Sequence, residues 1–176
     1  MKNASRLAVC GITTALSVLL MFLGGISFVF AYVMPMLVGL FMIMIKRTFG
    51  SASAWITYAA TAVLSFILVA DKECMLMYVM FFGFYPIIYE SINKVKNTVL
   101  RFALKLIIFN GLISAVQLIL VYVFGIPFLE EGEGVWLISA FVLLMNFLFL
   151  FYDKILVILT KLYEIKVEPK IKKYFK

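Results

Sequence analysis

Histidine is absent from the 176 residues, and cysteine, proline and charge are scarce: two Cys, four Pro and only 14% Asp, Glu, Lys and Arg together. Without histidine, neither a serine–histidine nucleophile nor a histidine-bearing zinc site can form. An aspartyl dyad needs two aspartates at one depth, and Asp71 and Asp153 fall at opposite faces of the alternating pattern traced below. No Gly-x-x-x-x-Gly-Lys-Ser/Thr segment is present to cradle a nucleotide. The inventory points away from an enzyme and calls for no cofactor and no metal. Cys10 and Cys74 begin the first and fourth apolar runs. In an alternating bundle they sit near opposite membrane faces, far beyond the roughly 4.4–6.8 Å Cα separation of a disulfide.

What fills the space is apolar. Hydrophobic residues make up 65% of the chain, with 18 Phe, nine Tyr and ten Met, and the mean hydropathy is +1.12. Soluble domains are roughly 45–50% apolar. Six apolar runs emerge: Leu7 to Leu23, Phe28 to Ile45, Ser51 to Ala70, Cys74 to Ile92, Leu100 to Phe124, and Val135 to Tyr152 with a continuation toward Tyr163. Each approaches the roughly 20 residues that a bilayer crossing requires. None alternates strictly, as a transmembrane barrel strand does. With no water to satisfy the backbone, the runs read as helices. The expected fold class is an all-α integral membrane protein, a six-transmembrane-helix bundle over residues 1–163, followed by a basic cytoplasmic tail over 164–176 broken at Pro169. No Ala-x-Ala-like cleavage site follows the first run, which therefore reads as an anchor. No internal repeat is visible.

The net charge of +7 has a topological explanation. With the N-terminus inside, fifteen of the sixteen Lys and Arg fall on the inner side, Lys105 among them, and Lys72 alone falls outside. Asp71, Glu73, Glu130, Glu131 and Glu133 all lie on the outer face. The positive-inside rule thus predicts both termini in the cytoplasm. The basic residues face an anionic inner leaflet of the plasma membrane and imply no nucleic-acid partner. No acid falls at mid-depth, which disfavours an ion-coupled carrier.

Three constellations could carry function. Ala4, Ala8, Gly11 and Ala15 form one small-residue stripe on the first helix, which suits close helix approach. It can pack within the chain or against a partner, and an exposed groove is the expectation adopted. A polar layer combines Asn110, Asn146 and Tyr85, the last before Pro86, which should kink the fourth helix. Unpaired amides in hydrocarbon are costly, so both Asn should face inward with partners and Tyr85 should approach one of them. The outer half holds Tyr32, Tyr78, Phe82, Gln117, Tyr122, Trp136 and Ser139. Outer aromatics can form an interfacial belt. A pocket rich in aromatics and poor in polar groups would instead suit a small flat or apolar solute.

This layout resembles the substrate-binding (S) subunits of energy-coupling factor vitamin importers: six helices, about 180 residues, both termini inside, and a small-residue motif early in helix 1. The segment Leu7-Ala8-Val9-Cys10-Gly11-Ile12-Thr13-Thr14-Ala15-Leu16-Ser17 is similar to their opening helix. Their Ala-x-x-x-Ala signature falls on Ala4-Ser5-Arg6-Leu7-Ala8 or, with glycine in first place, on Gly11-Ile12-Thr13-Thr14-Ala15. The resemblance implies a vitamin or precursor bound in the outer pocket, and a stripe that docks a membrane coupling subunit driven by two ATPases. The absence of histidine separates the chain from the nickel- and cobalt-type relatives. The alternative is a non-transporting six-helix scaffold, such as the small membrane subunit of the cell-shape (rod) complex.

Overall fold

The computed structural model describes residues 2–128, 134 and 136–167. Glu130, Glu131, Glu133 and most of the basic tail, Pro169 included, lie outside the described residues. Helices α1 (Lys2–Gly24), α2 (Phe28–Phe49), α3 (Ser51–Leu68), α4 (Lys72–Met77), α5 (Tyr85–Asn93), α6 (Thr98–Tyr122) and α7 (Trp136–Leu162) follow one another, and no strand occurs among the described residues. One π-helical turn, Tyr78–Phe82, links α4 to α5, and a second, Tyr163–Val167, extends α7. Six helical spans are long and apolar enough to cross a membrane, with α4, the π-turn and α5 together forming the fourth. At about 1.5 Å per residue, even the 18 residues of α3 reach about 27 Å, close to a bilayer's hydrocarbon thickness.

Helix boundaries follow local chemistry. Ser27, Asp71 and Asn97 cap α2, α4 and α6 by accepting from backbone N–H groups of the first turn. Gly50, at φ 90°, turns the chain between α2 and α3 in a conformation that favours glycine. At the other end of α3, Lys72 donates to the carbonyl of Val69 at 3.1 Å, satisfying one of the terminal acceptors.

The helices are not amphipathic in the soluble sense. On α3 the buried face is Ser53, Thr57, Thr61 and Ser65, whereas Trp55, Ile56, Val63, Phe66 and Ile67 are exposed. Ser53, Thr57 and Ser65 return their hydroxyls to the carbonyl four residues back, at 3.1, 2.9 and 2.6 Å. Across from them α1 buries Thr14, Ser17, Val18 and Met21. In lipid, apolar burial does not drive helices together, so small side chains that permit close backbone approach decide the interface. Large apolar side chains cover the outside of every long helix, Leu7, Ile107, Leu143 and Phe147 among them. A soluble monomer does not expose contiguous apolar surface of that extent; the girdle suits a multi-pass membrane protein.

The fourth span is interrupted near Pro86, where a kink was expected, but not at the proline itself. Its break lies ahead of Pro86, which occupies the first turn of α5, where a missing N–H leaves nothing unpaired. The distortion is the π-turn, closed by Gly83 N–H to Tyr78 O at 2.8 Å. Two carbonyls of that turn are taken by tyrosines of other helices: Tyr58 of α3 donates to Val79 O at 2.7 Å and Tyr152 of α7 to Phe82 O at 3.3 Å. A β-carbon on Gly39 of α2 would collide with Phe82 O and the Tyr152 hydroxyl. Glycine there brings α2 against the turn. Around it lies an aromatic core in which Phe81 stacks on Tyr85 (4.7 Å) and Phe109 on Phe149 (4.6 Å).

Candidate functional site

The two ends of the bundle differ in charge chemistry. At the basic end, Glu90 of α5 binds Lys46 (2.7 Å) and Arg47 (2.5 Å) of α2, and Arg47 also binds Glu164 (2.7 Å). Thr48 and Tyr163 are hydrogen-bonded beside them. Glu164 therefore stays joined to the bundle, one residue beyond the limit read for the transmembrane domain.

Deeper on that side lies a charged group that the hydropathy reading did not find. Lys105 was counted among the basic residues of the inner side as a flanking charge; the structure makes it a buried, paired one. It is buried on α6, and its Nζ donates to both carboxylate oxygens of Asp153 on α7, at 2.9 and 2.8 Å. Tyr85 of α5 donates to the same carboxylate at 2.7 Å, and the Tyr89 ring lies 4.8 Å from the Lys105 nitrogen. A buried charge must be paired and hydrogen-bonded, and here one carboxylate joins three helices. A second correction follows: Tyr85 is committed to Asp153 and not to the asparagine layer. The signal was present in the sequence, because Lys105 stands inside the run beginning at Leu100 and not before it.

The asparagines pair as expected. Asn110 Nδ2 donates to Asn146 Oδ1 and Asn146 Nδ2 to Asn110 Oδ1, both at 2.9 Å. Each remaining amide proton goes to the carbonyl four residues back, Leu106 O at 2.9 Å and Val142 O at 2.8 Å. The pair is fully engaged with itself and its own helices.

From this pair toward the acidic end, α6 and α7 enclose a groove of about 440 Å³. Its walls carry Ile113, Phe128, Ile138, Phe141 and Met145, with Ser114, Gln117 and Tyr122 as the polar members above Asn110. The sequence-named residues divide around it. Gln117 and Tyr122 line it. Tyr32 reaches it indirectly, through an edge contact with Phe141 at 6.2 Å. Tyr78 and Phe82 do not: both are buried in the aromatic core, because the π-turn that carries them packs against α2 and α3. Trp136 and Ser139 lie on the exposed surface of α7, turned away by the helical period from the face that Ile138, Phe141 and Met145 present to the groove.

Glu73 is the residue sequence reading passed over at this end. It accepts from the Tyr32 hydroxyl at 2.5 Å and from Gln117 Nε2 at 3.5 Å, which places a carboxylate directly behind the groove wall. Standing one residue before the fourth apolar run, it counted only as an outer-face charge. Among the described residues no three His, Cys, Asp or Glu side chains converge where an ion could be held. On α1, Ala4, Ala8, Gly11 and Ala15 are all exposed, and a β-carbon on Gly11 would meet nothing within 4 Å. The internal contact of α1 uses the neighbouring face instead, through Thr14, Ser17 and Met21.

No protein-family model matches the chain, and neither a curated protein nor a solved structure matches it.

Proposed function

We propose that the chain is the membrane-embedded solute-binding subunit of an ATP-driven importer of a micronutrient, a vitamin or its precursor. In this reading both termini face the cytoplasm of a cell bounded by the plasma membrane, and the acidic end faces outward. The carrying observation is the groove between α6 and α7. It runs from the half-buried Asn110 toward Gln117 and Tyr122 and combines an apolar lining with few polar groups, the composition of a small-molecule site.

The exposed stripe on α1 supports the second half of the reading. A chain with no nucleotide-binding motif needs a partner to drive transport, and Ala4, Ala8, Gly11 and Ala15 leave α1 with a face that another helix can approach closely. That partner would be a membrane coupling subunit carrying two ATPases. One observation favours the scaffold alternative, a cell-shape complex subunit: most of the aromatics named from the sequence are sealed in the core or face outward, away from the groove.

The test is to express the chain with candidate coupling subunits and to measure both association and vitamin binding by the purified chain. The expected result is that Gly11→Leu and Ala15→Leu abolish association and uptake while solute binding persists, and that Ala15→Ser has little effect. A chain that binds no vitamin and copurifies with wall-synthesis proteins in place of ATPases would favour the scaffold. Loss of solute binding in Gly11→Leu with association intact would mean the two faces have been interchanged.

A further inference from the structure

Resting on the reading of the α6–α7 groove as the solute site, we infer that its solute carries a cationic hydrogen-bond donor, such as a protonated amine or amidine on a flat ring, received by Gln117 and backed by Glu73. The orientation of one amide carries the inference. Gln117, which lines the groove, turns one Nε2 proton onto Glu73, and no described residue donates to its carbonyl oxygen. Asn110 and Asn146 spend their donors on each other and on backbone carbonyls. The asparagines therefore offer the groove no free amide donor, while Gln117 presents a carbonyl acceptor beside the carboxylate, with Ser114 and Tyr122 able to serve either way.

Charge points the same way. Of the five acids among the described residues, Glu90, Glu164 and Asp153 are ion-paired and Asp71 caps α4. Glu73 is held by two neutral donors, with no cation within ion-pair distance. The nearest base in sequence, Lys72, is turned to the carbonyls at the end of α3. No Lys or Arg lines the groove. Among the described residues, Asp71 and Glu73 stand at this end against the single base Lys72, a balance that favours cations over carboxylates and phosphates.

Benzamidinium, benzamide and benzoate are flat, nearly isosteric and differ in charge, which makes them direct probes. Each is titrated onto the full chain in lipid nanodiscs, with binding read by calorimetry. The inference expects benzamidinium to bind about tenfold more tightly than benzamide, the ratio that 1.4 kcal/mol produces, and benzoate to bind most weakly. Glu73→Gln, which keeps an acceptor for Tyr32, should remove the preference for the cation, and Glu73→Asp should retain it. Should Glu73→Gln fail to fold, Gln117→Leu serves in its place and should lower benzamidinium affinity by about tenfold. Benzoate binding as tightly as benzamidinium, a preference that survives Glu73→Gln, or an affinity untouched by Gln117→Leu would each overturn the inference while leaving the groove a solute site. Binding of none of the three, in a chain that also binds no vitamin, would overturn the solute-site reading itself.

Discussion

The Lys105–Asp153 pair offers the sharpest test of the bundle's interior, because the cost of cutting it depends on how dry it is. The Lys105 side chain is 8% exposed and that of Asp153 21%. Removing one member of a buried pair strands the other charge, at about 3–5 kcal/mol. Lys105→Met should fall near the lower end of that range, about 3 kcal/mol, since the stranded Asp153 keeps the Tyr85 hydroxyl and some access to water. Asp153→Leu should cost more than Lys105→Met, because the ammonium then retains only the face of the Tyr89 ring. The double replacement removes both charges and fills the space with apolar atoms, so it should recover most of the loss and fall within about 1 kcal/mol of the parent. The measurement is a double-mutant cycle on unfolding of the detergent-solubilised chain. A cost below about 1 kcal/mol for Lys105→Met would place the pair in water, as for an exposed ion pair. A double variant as unstable as the two single losses summed would refute any coupling between the residues.

The asparagine pair should behave as an interhelical hydrogen bond in lipid: Asn110→Leu is expected to destabilise by about 0.6–2 kcal/mol, and Asn110→Leu with Asn146→Leu by less than the sum of the single losses, read by the same unfolding assay. At the π-turn, Tyr152→Phe should lose about 0.6–1.7 kcal/mol by leaving Phe82 O without its partner. Gly39→Leu should abolish folding, because the backbone carbonyl it would strike belongs to another span; recovery of normally folded, monodisperse protein from that variant would show that α2 does not need the close approach. On α1, Gly11→Leu should leave the unfolding free energy of the isolated chain unchanged within about 0.5 kcal/mol, the usual range for an exposed position.

The elements differ in how far the amino-acid order exposes them, and the reason is physical. The asparagine layer was legible because depth along a helix follows from counting residues, and an amide in hydrocarbon has few alternatives to another amide. The hydroxyl face of α3 carries an equally readable period of four, Ser53, Thr57, Thr61 and Ser65. The destinations of Tyr78 and Phe82 were not legible. Both faces of a membrane helix are apolar, so composition does not tell the core side from the lipid side, and a π-turn shifts the facing of every residue near it. Lys105 and Glu73 were read as flanking charges because the rule that orients helices counts charge without asking what each charge touches.

By itself the sequence determined that the chain forms six helices able to cross a bilayer, that its basic residues cluster in alternate connections, and that it contains no histidine. These are sums over composition and local order, and the solvent enforces them whatever the helices do to one another. Only the tertiary structure decided which side of α1 is left open, that Tyr85 serves Asp153, that α6 and α7 part above the asparagines to form a groove, and that Glu73 stands behind its wall. Those features depend on how each helix is rotated about its axis, which is set by close packing at Gly39 and Gly83 that leaves no trace in hydropathy.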